Sequence, residues 1–354
     1  VPVHGIEAGA LDHDARLSAE LLAHVARRAR RPGRLARGVQ PGPTAFVLSG
    51  GGTRGAAQAG MLRALLERGL RPDLVVGTSI GAVNGVALVG SPTLEGVSLA
   101  AEVWRSLRAE DVFPSGRLSG PWRFLARRGG AYSIDGLRAV VARLLRFERL
   151  EEAPLPFVVV ATRLRDGAEA WLQEGPALDA VLASSALPGV FPPVEVDGER
   201  YVDGGVVDNT ALSVALAAGA RRVVLLVCSP AVAGVPEPRR PLDALLGAFD
   251  LALHARLRRE LAEVPAGVEV VVIDLPGAER VDWQDFSRTD ELIGRGYRRA
   301  REVLDALEEA ASPAGRVGRA GRAPLAASAA ALGTGARPPL ARRRPPSPVA
   351  TGRG

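Results

Sequence analysis

Short runs rich in Val, Leu and Ile recur along this chain at 45–48, 74–76, 157–161, 169–172, 200–202, 223–227 and 268–273. Between most of them lie segments with apolar residues at three- and four-residue spacing, at 56–68, 82–88, 134–145, 212–217, 242–261 and 290–308. The short runs suit strands, and the longer spaced segments suit helices that each bury one stripe. Thr289 is placed to cap the last of these helices. Alternation of the two kinds of segment confines the chain to an α/β fold, with a largely parallel sheet layered between helices. A hydrophobic content of 47% is ample for a sizeable core. No stretch approaches the roughly 18 consecutive apolar residues of a membrane span.

Charge divides the chain into three parts. All 45 basic residues are Arg. Residues 1–43 hold seven Arg and four acids, and residues 311–354 hold eight Arg and no acid. The 44–310 stretch keeps 30 Arg against 35 acids, so the globular part is mildly acidic. A nucleic-acid-binding core is therefore not expected. The first part is read as an extension with a peripheral helix over 11–31 and a linker broken at Pro32-Gly33 and Pro41-Gly42-Pro43. The last part, rich in Ala, Gly, Pro and Arg, is read as a disordered basic tail able to touch anionic lipid. The single cysteine, Cys228, cannot form an internal disulfide and ends an apolar run, which reads as a buried strand residue. With no basic-then-apolar order in residues 1–10, the expectation is a cytoplasmic protein, peripheral at most to the inner membrane face.

Three glycine-bearing corners carry the chemistry. Gly50-Gly51-Gly52-Thr53-Arg54-Gly55 follows the first strand and opens a helix. It also satisfies G-x-G-x-x-G, but a dinucleotide site needs an acid at the far end of the second strand, and Asp73 stands at its beginning. A P-loop is excluded because Gly-Lys-Ser/Thr is absent. What remains is a loop of backbone N–H groups at a helix N-terminus, a site for negative charge. The second corner, Gly77-Thr78-Ser79-Ile80-Gly81, places a serine on a sharp strand-to-helix turn, the G-x-S-x-G device that lifts a hydroxyl toward an acyl carbonyl. Beside such a serine, the charge met by the first loop would be a tetrahedral oxyanion, with Arg54 fixing the loop or adding positive potential.

A nucleophilic serine needs a base. His4, His13 and His24 precede the first strand, and His254 lies in a helical stretch, where it reads as a surface or packed histidine. The order Ser79, Asp203, His254 still matches an α/β-hydrolase triad, which stays as the alternative for an esterase or thioesterase. The third corner, Asp203-Gly204-Gly205, offers a carboxylate at a strand end, able to accept the serine proton where a dry site raises its pKa. By itself, Asp-Gly-Gly is merely a turn.

Together and in this order the three corners resemble the patatin-like phospholipases, the lipid acyl hydrolases that include the neuropathy target esterase catalytic domain. The block 183–193 before the aspartate and Asn209 after it fit that resemblance too, whereas Ala211 stands where the family commonly has proline. The resemblance runs over about 44–310. It implies a three-layer α/β/α fold and a Ser79–Asp203 dyad on lipid carboxylic esters, of phospholipase A or lysophospholipase type. It implies an oxyanion hole at Gly50–Gly52 with Arg54, a nucleophile elbow flanked by Gly77 and Gly81, and no metal or organic cofactor. The partner is then a lipid or acyl-ester substrate. In the least patterned stretch, 104–132, aromatics interleave with Arg, which suits either a flap at a lipid surface or a cap packing its rings inward. Two non-enzymatic readings stand beside these: a dinucleotide-binding module, and an inactive scaffold with basic arms.

Overall fold

The computed structural model describes residues 42–114, 130–228, 241–278 and 281–311. The extension over 1–41, most of the arginine-rich part of 104–132 and the tail from 312 lie outside the described residues. The elements in chain order are β1 (Thr44–Leu48), α1 (Ala56–Glu67), β2 (Leu74–Thr78), α2 (Ile80–Gly90), α3 (Leu94–Ser106), α4 (Ala109–Val112) and α5 (Asp135–Leu144). They continue with β3 (Phe157–Arg163), β4 (Glu169–Leu172), α6 (Ala177–Ser184), β5 (Val194–Val196), β6 (Glu199–Asp203) and α7 (Leu212–Ala217). The chain closes with β7 (Arg222–Leu226), α8 (Pro241–Ala262), β8 (Glu269–Ile273) and α9 (Thr289–Ala311).

All eight strands form one sheet. Its centre is parallel, β3-β2-β1-β7-β8, and β4, β5 and β6 add antiparallel pairs at one side. Strand side chains alternate between two faces. Phe46, Leu48, Val75, Val159 and Leu226 point into one core, covered by α1, α2, α3, α5 and α6. Ala45, Val47, Val76, Val158, Val160 and Leu225 point into the other, which α7 and α8 close with Leu212 and Leu257. This is the expected three-layer α/β/α arrangement. On the first face α9 crosses α1 at backbone contact: a Cβ on Gly60 would lie 1.9 Å from the Ile293 carbonyl, and one on Gly296 2.1 Å from that of Ala57.

α3, α6, β5 and the cap of α9 depart from the sequence reading. The segment 94–106 is a helix, α3, whose N-cap Thr93 accepts the Gly96 N–H. Residues 177–184 form α6, and 194–196 pair with β6 as a hairpin. Thr289 does not cap by accepting; its hydroxyl donates to the Phe286 carbonyl of a preceding 3-10 turn.

The register of β3 places the candidate site. An edge residue of a strand serves one partner at a time. β4 overlaps β2 at Val159 and Val160, and overlaps β6 at Ala161 and Thr162. β4 must therefore take one edge of β3, and β2 and β6 share the other. Parallel β2 ends with Thr78 opposite Val160, and antiparallel β6 ends with Asp203 opposite Ala161. The two strands meet end to end, and the residues that follow or finish them are forced together.

Candidate active site

Ser79 follows β2 directly and is the N-cap of α2, with φ 55° and ψ −125°. It is one of three non-glycine residues with positive φ among the described residues. Such a conformation costs on the order of 1–3 kcal/mol and persists where the surroundings over-determine it. Here they do. The Ser79 N–H donates to Ser184 Oγ at 2.8 Å, and its carbonyl accepts from Ala82 N at 2.8 Å in the first turn of α2. Neither flanking glycine has room for a side chain: a Cβ on Gly81 would lie 2.0 Å from the Leu48 carbonyl, and one on Gly77 2.7 Å from Ala82 Cα. The strained turn aims Ser79 Oγ at Asp203, to which it donates at 2.6 Å (Oδ2).

Asp203 is buried. Its Oδ1 accepts the Gly205 N–H at 2.8 Å, its backbone N–H donates to the Ala186 carbonyl, and its own carbonyl accepts from Thr162 Oγ1. Burial raises its pKa from an ordinary 3.8 to about 6, with the Ser79 hydroxyl and Gly205 N–H opposing the rise. The carboxylate is thus ionised at neutral pH and basic enough to take a proton from an attacking hydroxyl.

The glycine loop lies beside Ser79, and its three glycines do different things. Gly50 donates its N–H to the Asn209 carbonyl at 3.2 Å. That donor is spent, which removes Gly50 from the expected oxyanion set and makes it a docking point. The Gly50 carbonyl accepts from Ser49 Oγ at 2.9 Å. In a trans peptide the next N–H points the opposite way. Among the described residues, neither the Gly51 nor the Gly52 N–H has a hydrogen-bond partner, and both residues line the same pocket as Ser79 and Asp203. Gly52 takes φ +59°, open to glycine, with the Trp283 carbonyl 2.8 Å from where a Cβ would be. From outside, the segment 281–283 clasps the loop: Thr53 N–H and hydroxyl donate to Trp283 and Asp282 carbonyls, and Arg54 Nε donates to that of Val281. The Arg54 charge is felt nearby, where it opposes the burial-driven rise at Asp250 and adds to the fall at His254.

A buried polar chain braces the loop from within. Gln58 donates to the Ser49 and Leu226 carbonyls and accepts from Asn84, which also donates to the Gly55 carbonyl. Asn84 Oδ1 in turn accepts the Trp104 indole N–H at 2.8 Å. Sequence reasoning missed Gln58 and Asn84, and took Ser184 only as part of the 183–193 block, with no role of its own. The available signal was a polar residue set inside an apolar helix, as in Ile80-Gly81-Ala82-Val83-Asn84-Gly85-Val86.

The pocket that holds these groups is mainly apolar. Ile80 and Val83 of α2, Trp104 of α3 with Leu107 just after it, and Leu137, Val140 and Leu144 of α5 form one wall. Phe113, Phe191, Trp283 and Phe286 form another, with Phe113 at 5.3–5.7 Å from the rings of Tyr132, Phe191 and Trp283. Within 104–132, then, Trp104, Phe113 and Tyr132 pack inward.

His254 takes no part in the Ser79–Asp203 contact. It is buried in α8, its Nε2 has no hydrogen-bond partner among the described residues, and burial with the Arg258 and Arg54 charges pushes its pKa down to about 4. Among the described residues no imidazole stands between Ser79 and Asp203, which meet directly, so His254 does not complete the alternative triad. Asp73 accepts the Thr44 N–H at the amino end of the sheet, away from the glycine loop, as the rejection of a dinucleotide site requires. Cys228 is buried, and burial pushes its thiol up to about 12. Ala211 has φ +38°, which a proline ring cannot adopt.

Comparison with known proteins matches residues 46–216 to the patatin-like phospholipase family model. The chain is 31% identical over 195 residues to patatin-like phospholipase domain-containing protein 7 of Rattus norvegicus, covering 54% of this chain and 14% of that protein. It is 34% identical over 172 residues to an uncharacterized NTE family protein of Mycobacterium bovis, covering 49% and 45%. To lysophospholipase NTE1 of Mycosarcoma maydis it is 29% identical over 299 residues, covering 77% and 15%. The chain spans less than half the length of each of these relatives. Among the described residues, no helix is long and apolar enough to cross a membrane.

Proposed function

The chain belongs, through residues 46–216, to the patatin-like phospholipase family, and on that premise we propose that it is a serine acyl hydrolase of lipid carboxylic esters working through a Ser79–Asp203 dyad. The observation that carries the reading is the 2.6 Å hydrogen bond from Ser79 Oγ to Asp203 Oδ2 in an apolar pocket.

Ser79 Oγ attacks the ester carbonyl while its proton passes to Asp203. The carbonyl oxygen becomes an oxyanion and meets the Gly51 and Gly52 N–H groups, reinforced by the N-terminus of α2. The tetrahedral intermediate collapses, the carbon–oxygen bond to the alcohol breaks, and Asp203 returns its proton to that leaving oxygen. The acyl group is now an ester of Ser79. Asp203 then takes a proton from water, the hydroxide oxygen adds to the acyl carbon, and Ser79 leaves as its proton is restored. The apolar walls receive the acyl chain. Action on phospholipid or lysophospholipid is supported by the match to a protein named a lysophospholipase. Peripheral contact with anionic lipid through residues 311–354 belongs to the same proposal.

The test is the pair Ser79→Ala and Asp203→Asn beside His254→Ala, assayed on p-nitrophenyl esters and on lysophospholipid micelles. Ser79→Ala abolishes turnover and labelling by a fluorophosphonate, and Asp203→Asn loses about 10²–10⁴ in rate. His254→Ala retains wild-type turnover. Wild-type activity in folded Ser79→Ala would end the assignment.

A further inference from the structure

We propose that Arg256, on the opposite side of the sheet from the acyl pocket walls of α3 and α5, is a positioning residue. It fixes the segment 207–209 and, through Asn209, the seat of the glycine loop. The proposal rests on the Ser79–Asp203 reading.

Arg256 projects from α8 to the loop that follows Asp203-Gly204-Gly205. Its Nη1 donates to the Val207 carbonyl at 2.7 Å and its Nη2 to Asp208 Oδ2 at 2.6 Å. Asp208 is fully buried, and its other oxygen accepts the Thr210 N–H at 3.0 Å and the Ala211 N–H at 2.7 Å. One carboxylate thus ties the guanidinium to the turn in which Ala211 takes its left-handed φ of 38°. A guanidinium suits this place because its planar fork reaches a carbonyl and a carboxylate together, which an ammonium does not.

Asn209 sits between the groups held in this way. Its carbonyl accepts the Gly50 N–H. A Cβ on Gly50 would lie 2.3 Å from Asn209 Oδ1, and one on Gly205 3.1 Å from the same atom. The corner that carries Asp203 and the loop that carries Gly51 and Gly52 are therefore both packed on Asn209. If Asn209 shifts, the distance between base and oxyanion donors shifts with it. Two further carboxylates hold the guanidinium in line from other elements: Glu260 Oε1 on α8 at 2.8 Å from Nε, and Glu169 Oε2 on β4 at 3.0 Å from Nη2. The four acceptors leave Arg256 little freedom to reorient.

The experiment compares wild type with Arg256→Lys, Arg256→Gln and Asp208→Asn on p-nitrophenyl butyrate. Turnover is expressed per Ser79 titrated to completion with a fluorophosphonate, and thermal unfolding is followed in parallel. Displacement of oxyanion donors by about 1 Å costs on the order of 100-fold, so Arg256→Gln loses about that much in kcat, with KM little changed. Arg256→Lys falls between it and wild type, and Asp208→Asn, which keeps an acceptor for Thr210 and Ala211, loses kcat in the same sense. Should Arg256→Gln fail to fold, the other two variants decide the matter. Folded variants with wild-type kcat per titrated site, or with losses confined to KM or to the unfolding temperature, would overturn the proposal. Absence of turnover and of Ser79 labelling in wild type would instead bring down the dyad reading and this proposal with it.

Discussion

Ser184 Oγ accepts the Ser79 backbone N–H at 2.8 Å while donating its own proton to the Val160 carbonyl at 2.6 Å. One hydroxyl therefore joins the strained residue to the strand on which β2 and β6 meet. Ser184 comes from α6, the helix that leads into the block supplying Ala186 to Asp203. The turn that lifts Ser79 is held from the side as well as from its own chain.

Ser184→Ala removes both contacts and leaves a buried N–H and a buried carbonyl without partners. Unsatisfied buried groups cost about 1–3 kcal/mol each, so the variant unfolds at lower urea concentration than wild type. Turnover per folded molecule also falls, by roughly tenfold or more, because Ser79 gains freedom to leave its attacking position. Urea unfolding together with titrated ester turnover measures the two effects separately. Unchanged turnover in the folded fraction would show that α2 alone holds Ser79.

With Asp203 as the proposed base, activity and stability are linked through pH. Its pKa lies above the unfolded value, rising from 3.8 to about 6. The protonated acid is thus favoured in the folded protein, and the associated stability is fully present below pH 3.8 and lost as pH rises through about 6. The rise corresponds to about 3 kcal/mol by pH 8. Asp203→Asn, which cannot ionise, is therefore more stable than wild type at pH 8 by an amount of that order, and the gap closes toward pH 4. Over the same range kcat/KM of wild type on a short ester rises along an acid limb centred near pH 6. Chemical denaturation at both pH values checks the first expectation, and the pH–rate profile checks the second. A stability gap independent of pH would mean that Asp203 is not held as an elevated acid.

The parts that were legible in the sequence are those whose signal is local. The corners of Ser79 and Asp203 announce themselves because a side chain lifted at a strand end needs glycine on its flanks, within four residues. The central strands are legible because both faces are buried and the runs are apolar throughout. β6 was legible at 200–202, but β5 and its hairpin with β6 were missed although Asp197-Gly198, with φ of 50° and 81°, is the turn such a hairpin uses. β5 was obscured by its length of three residues. α6 was missed because it is buried nearly all round, so Ala177–Ser184 shows no polar face to set its period. Ser184, Gln58, Asn84 and Arg256 escaped for a different reason. Each acts on a partner far along the chain: Ser184 meets Ser79 across 105 positions, and Gln58 meets Leu226 across 168. Nothing in the neighbouring residues specifies such a partner. The assignment of Gly50 to the oxyanion failed on the same ground, because its donor is taken by Asn209.

On the proposed reading, the wall made by α5 sets which acyl chains fit. Leu137, Val140 and Leu144 stand at positions i, i+3 and i+7, one stripe running about 10 Å along the helix. In the same wall Trp104 is fixed by its indole hydrogen bond to Asn84 and stacks on Phe286 at 6.2 Å, so this side of the pocket has little freedom to yield. Val140→Phe adds a ring in the middle of the stripe. Each methylene kept out of the pocket forfeits about 0.8 kcal/mol of burial, roughly a fourfold loss in binding. Two or three displaced methylenes therefore lower the ratio of kcat/KM for a dodecanoyl ester to that for a butyryl ester by tenfold or more. Overpacking costs about 1–3 kcal/mol in stability, which a melting curve detects and which acts on both esters alike. A p-nitrophenyl ester series from two to sixteen carbons, run on wild type and Val140→Phe, measures the ratio directly. Profiles that superimpose after scaling would mean that the acyl chain leaves Ser79 by the aromatic wall of Phe113 and Trp283, and the same substitution strategy would then move to Phe191.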